Sequence, residues 1–84
     1  MKSDIAFVKM VFNIRITSSD QAQKLNKIAE KHPFDIWVHG KSGQADAKSM
    51  LGLMLLTIEN DVKLVIEDEH DTKAFEKEIA EFIV

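Results

Sequence analysis

Residues 6–16 alternate between an apolar side, Ala6, Val8, Met10, Phe12, Ile14 and Ile16, and a mixed side, Phe7, Lys9, Val11, Asn13 and Arg15. A two-residue period of that length predicts a long, half-buried strand. Thr17-Ser18-Ser19-Asp20 then offers several helix N-caps, and Ala22, Leu25, Ile28 and Ala29 fall on one stripe, so residues 20–31 are expected to form an amphipathic helix that ends before Pro33. Phe34, Ile36 and Val38 alternate with Asp35, Trp37 and His39 as a second strand, which turns at Gly40-Lys41-Ser42-Gly43 into a short third strand around Gln44 to Asp46.

The segment Ala45 to Leu56 combines polar Asp46, Lys48 and Ser49 with a run, Met50 to Leu56, that is apolar apart from Gly52. It predicts a short second helix beginning near Ala47 or Lys48, with Ser49 in its first turn. Glu59-Asn60-Asp61 forms a polar turn, and Val62, Leu64 and Ile66 alternate with Lys63, Val65 and Glu67 as a fourth strand. Asp71 or Thr72 can cap a last helix whose apolar stripe is Phe75, Ile79, Phe82 and Ile83. The order is β-α-β-β-α-β-α. Strands of period two need one buried face, so the expectation is an α+β fold with the helices covering one side of the sheet and the second and third strands antiparallel.

Composition narrows the functional classes. The 84 residues, 45% of them hydrophobic, suit one domain spanning residues 1–84. Without cysteine there is no disulfide framework, thiol nucleophile or thiolate metal site. The opening Met-Lys-Ser-Asp-Ile-Ala-Phe-Val-Lys is broken by charge and no apolar run is long enough to span a membrane, so a cytoplasmic protein is expected. Its net charge of −3 disfavours a nucleic-acid surface.

A hydroxyl in the first turn of a helix lies near free backbone N–H groups and the positive end of the dipole, which favours an added phosphate and makes Ser49 the candidate modification site. His32 is expected to be a solvated helix-end residue, and His39 and His70 lie apart from it with no short metal-ligand spacing. The acidic turn around His70 is expected to be solvated and no cofactor is implied. No nucleophile–base pair, phosphate loop or acid/base dyad stands out, so an enzyme is not expected. Phe7, Val11, Trp37 and Val65 fall on strand faces opposite the core, and Val11, Trp37 and Val65 together form a candidate self-association patch, with a homodimer as its consequence.

The run Ala47-Lys48-Ser49-Met50-Leu51-Gly52-Leu53-Met54 resembles the regulatory-serine segment of HPr, the phosphocarrier family of the bacterial sugar phosphotransferase system, in which Ala-Lys-Ser is followed by two apolar residues, Gly and two more. The order of elements over residues 10–83 agrees with that family. The resemblance implies an open-faced β-sandwich, a four-stranded antiparallel sheet with three helices on one face. It also implies phosphorylation of Ser49 by an HPr kinase and docking of Lys48, Met50, Leu51 and Met54 on that kinase or on a transcriptional regulator. The chain departs from the family where HPr carries its phosphoacceptor histidine, in a Gly-Leu-His-(Ala/Thr)-Arg-Pro-Ala type motif. Aligned without a gap back from Val38, this chain has Ser18 at the histidine position, Asp20 at the arginine position and Gln21 at the proline position, and no histidine precedes His32. It is thus similar to the catabolite-repression paralogue of HPr, which lacks the histidine and keeps the serine. Three roles stand open: a non-catalytic regulatory protein switched at Ser49, a divergent binding or dimerisation module of the same fold, and an active phosphocarrier.

Overall fold

The computed structural model describes residues 9–56, 59–67 and 70–84. Its elements are β1 (Met10–Arg15), α1 (Ser19–Glu30), β2 (Trp37–Gly40), β3 (Gly43–Asp46), α2 (Met50–Leu56), β4 (Asp61–Ile66) and α3 (Lys73–Glu78), followed by a 3₁₀ turn, Ala80–Phe82. The expected start of the first strand, 6–8, and Phe7 with it, lies outside the described residues. The four strands form one antiparallel sheet in the order β1-β4-β2-β3. Its register places Phe12, Leu64, Val38 and Ala45 in one row across the sheet, and Val11, Val65, Trp37 and Asp46 in the next row, on the opposite face.

The first of those faces carries the core. Ile14, Ile36, Val38, Val62, Leu64 and Ile66 meet Ala22, Leu25, Ile28 and Ala29 of α1, Leu53 and Leu56 of α2, and Phe75, Ile79 and Phe82 from the last helical segment. All three helices therefore cover one side of the sheet, as period-two strands with a single apolar face require. α1 is held to the last segment from its middle and its C-terminal end: Lys24 pairs with Glu81 at 2.5 Å, and Lys31 pairs with Glu78. Along β1 the chain returns on itself, with Ile83 bridging Ile14 and Val84 donating to the Asn13 carbonyl at 3.0 Å. That return removes Ile83 from the apolar stripe expected of the last helix and leaves it exposed, and it covers part of an otherwise open sheet edge.

The β2–β3 hairpin is clamped from below by Glu59. Its carboxylate accepts from the backbone N–H of Lys41 at 2.5 Å, from that of Ser42 at 2.9 Å, and from the Ser42 hydroxyl. A Cβ at residue 40 would lie 2.9 Å from a Glu59 oxygen, so a side chain there would push the carboxylate off the hairpin. The hydrogen bonds from Ser42 and Lys41 hold the Glu59 carboxyl below its ordinary value of 4.5. Lys31 and then His32 do the same for Glu78, and Arg15 does so for Asp61. A carboxyl whose pKa is lower in the folded than in the unfolded chain adds stability above its unfolded value and loses it as pH falls through the folded one. Stability is thus expected to decline between about pH 5 and pH 3, and Glu59→Gln should flatten that acid limb. Urea unfolding across that range checks it, and an unchanged acid limb in the variant would remove Glu59 from the account.

Candidate functional site

α2 is entered through a pinned turn. The N–H of Ala47 donates to the Ile36 carbonyl at 2.8 Å, and the Ala47 carbonyl accepts from Asn26 Nδ2 at 3.0 Å. The Ala47 N–H is thereby tied to β2's approach, and its carbonyl, which a helix begun there would turn toward residue 51, is committed to α1 instead. Asp46 next takes the Lys48 N–H on Oδ1 and the Ser49 N–H on its carbonyl, each at 2.8 Å. Only at Ser49 are helical bonds free to form: its carbonyl accepts from Leu53 N–H at 3.0 Å and its hydroxyl from Gly52 N–H at 3.3 Å. Ser49 is the N-cap of α2, not a residue of its first turn, and the helix starts later than the sequence pattern predicts.

Gly52 fixes how α2 lies. A Cβ there would come within 2.9 Å of the Ala45 Cβ, so the missing side chain lets the helix press against β3. With that face fixed, Leu53 and Leu56 go into the core and Leu51, Met54 and Leu55 point outward, Leu51 being 76% and Leu55 65% exposed. The expected docking residues thus divide. Ser49, Leu51 and Met54 are exposed, Lys48 is half-buried, and Met50 turns partly into the core. Leu55 joins the outward stripe, although the unbroken run Leu53 to Leu56 gives no sign of which leucines face out.

The start of α1 is closed on itself. Ser18 is its N-cap, accepting from Gln21 N–H at 3.2 Å, while Gln21 Oε1 reaches back to the Thr17 N–H at 2.7 Å and to the Thr17 hydroxyl at 3.0 Å. This is a capping box displaced by one residue. It consumes the Gln21 N–H of the first turn and the Thr17 N–H just before it, donors that a bound phosphoryl group would need, and exposed Asp20 adds a negative charge beside them. Gln21 in this bridging role is invisible to hydrophobic periodicity.

The histidines do not supply a substitute. His32 is not solvated as expected: its side chain is 15% exposed, its ring centroid lies 5.3 Å from those of Phe34 and Phe75, and Nε2 sits 2.8 Å from Glu78 Oε1. His70 stacks on Phe34 at 4.9 Å. His39 is half-buried on the other face of the sheet. Among the described residues no group of three or more His, Cys, Asp or Glu side chains could hold a metal ion, and no helix is long and apolar enough to cross a membrane.

The candidate self-association residues lie in one row, Val11, Val65 and Trp37 being direct neighbours on β1, β4 and β2. They are not equally accessible. Val11 is 47% exposed and Trp37 half-buried, whereas Val65, between them, is only 2% exposed and contributes little open surface.

Comparison with known proteins agrees with this geometry. A family model described as the PTS HPr component phosphorylation site matches residues 18–84. The structure is similar to that of HPr-C-His from Thermoanaerobacter tengcongensis, with a TM-score of 0.64, 26% identity and 90% of each chain covered. No curated protein matches the chain in sequence at a significant level. With most of its length matched by that family model and its four-stranded sheet and three helices matched by an HPr structure, the chain belongs to the HPr family of the phosphotransferase system.

Proposed function

We propose that this chain is a non-catalytic, regulatory member of the HPr family, acting in the bacterial cytoplasm in carbon catabolite control. Its switch is phosphorylation of Ser49, and its docking surface is the outward face of α2, Leu51, Met54 and Leu55, flanked by Lys48 and part of Met50. The partner class is an HPr kinase or a transcriptional regulator. The observation that carries this role is the placement of an exposed serine at the head of an exposed apolar stripe, within the segment that resembles the family's regulatory serine. Apolar side chains on a fixed helix face, rimmed by charge, have the character of a protein-docking patch.

The active-phosphocarrier role is disfavoured by the start of α1. Ser18 lacks imidazole's nucleophilic nitrogen, its hydroxyl is spent on the Gln21 N–H, and Gln21 is spent on Thr17. Incubation with enzyme I and phosphoenolpyruvate is therefore expected to leave the protein unmodified, while a conventional HPr in a parallel reaction is phosphorylated. Acid-labile, base-stable phosphate on the intact protein, detected by mass spectrometry, would overturn that expectation.

A further inference from the structure

The sheet face away from the helices carries charge in a pattern that is complementary to itself. On one side of the row Val11–Val65–Trp37 lies the row Asn13–Lys63–His39, set by the same register. On its other side, one step past the ends of β1, β4 and β2, the alternation places exposed Lys9, Glu67 and Asp35. Each chain alone thus sets Lys63 beside His39 and Glu67 beside Asp35, two groupings of like character at opposite edges of one patch. No hydrogen bond or ion pair engages these four side chains among the described residues.

We infer that this face binds a second copy of the chain, face to face about a two-fold axis running along the row Val11–Val65–Trp37. The operation keeps each position along the row and exchanges its two sides. Val11 meets Val11 and Trp37 meets Trp37. Lys63 of each copy comes over Glu67 of the other, His39 over Asp35, and Asn13 over Lys9. A symmetric interface makes each pairing off the axis twice, and across β1, β4 and β2 every charged pairing is attractive or neutral; Asp46, at the β3 end of the row, faces its own copy, half-buried and with its Oδ1 taken by the Lys48 N–H. Aligned packing of two such sheets is a standard arrangement, with strands within about 30° of one another.

The size of the patch sets the strength. Three strands about 4.8 Å apart and three rows about 6.7 Å apart, with side-chain reach added, cover on the order of 400 Å² per copy, or about 800 Å² in all. That is below the roughly 1,200–2,000 Å² of stable complexes. A weak dimer follows, in equilibrium with monomer, and it is independent of the role proposed for Ser49, which lies on α2 and not on this face.

Sedimentation velocity between about 10 µM and 1 mM is the test, since a weak dimer dissociates within that range. Wild type should pass from monomer to dimer, with Trp37 emission shifting to the blue as the ring is covered. Lys63→Glu and Glu67→Lys should each weaken association about tenfold, because each reverses two contacts of exposed charge. The double variant, Lys63→Glu with Glu67→Lys, should recover wild-type association, which a merely structural role for either residue would not produce. Both residues are exposed, so circular dichroism should show the fold unchanged in all three. Monomer throughout the range would overturn the inference and leave the face to a different protein. Dimers indifferent to the single reversals, or not restored by the double one, would overturn this interface.

Discussion

Phe75→Ala is expected to cost about 3–5 kcal/mol of stability, the range for removing a fully buried aromatic side chain. The ring is 0% exposed and touches three others: Phe12 at 6.4 Å, Phe34 at 5.9 Å and His32 at 5.3 Å between centroids, each at a steep angle. Such edge-to-face contacts add to the area term. The position matters further because α3 has little support of its own. It has six residues, and the Thr72 hydroxyl at its start donates to Glu76 Oε2 at 2.7 Å instead of capping the backbone. A helix that short persists through packing, not propensity. An 84-residue chain has a total stability of about 4–13 kcal/mol, so the variant should sit near its unfolding threshold. Its Tm should fall by more than about 12 °C. Lys77→Ala, on the exposed face of the same helix, should change stability by less than about 0.5 kcal/mol. Urea unfolding of the pair checks this, and a loss below about 1 kcal/mol for Phe75→Ala would show that the last helix is not held by that ring.

The sequence was most legible where a residue's role depends on its own neighbours. Alternation located β4 to within a residue, because Val62, Leu64 and Ile66 all face one apolar layer. The stripe Ala22, Leu25, Ile28 and Ala29 located α1, and each of those residues is buried. What was not legible depends on distant partners. The start of α2 was displaced because Ala47 is tied to Ile36 and Asn26, contacts that no local pattern encodes. Asn26 itself is a polar residue in a buried position, readable only once its acceptor is known. Ile83 fits the apolar spacing of the last helix yet pairs with Ile14 instead, since the sheet edge offers it a strand partner. His32 reads as a surface residue in the sequence because its aromatic neighbour Phe75 comes from the far end of the chain. Of the candidate site, Ser49, Leu51 and Met54 stand exposed as expected, while Met50 is half-turned inward and Leu55 faces outward unforeseen.

Phosphorylation of Ser49 is expected to have the largest functional effect. The modified oxygen already faces the start of α2, where it accepts from the Gly52 N–H, and a phosphate there gains the positive end of the helix at about 0.3–1 kcal/mol. Asp46, three residues earlier and accepting from the Lys48 and Ser49 N–H groups, opposes part of that gain by its charge, so the fold should change little. Recognition should change much more. About two negative charges beside Leu51, Met54 and Leu55 would strengthen an Arg- or Lys-bearing partner through charge-assisted hydrogen bonds and repel an acidic one by several kcal/mol. Ser49→Asp supplies one charge and a shorter reach, and should give a smaller shift in the same direction.

The measurement that tests this account most directly is incubation of the protein with a bacterial HPr kinase and ATP, followed by mass spectrometry of the peptide containing Ser49. One phosphate on Ser49 in the wild type, absent from Ser49→Ala, is the predicted result. No label on the wild type, when a conventional HPr is labelled in the same tube, would contradict it and leave α2 as a packing and binding surface without a switch.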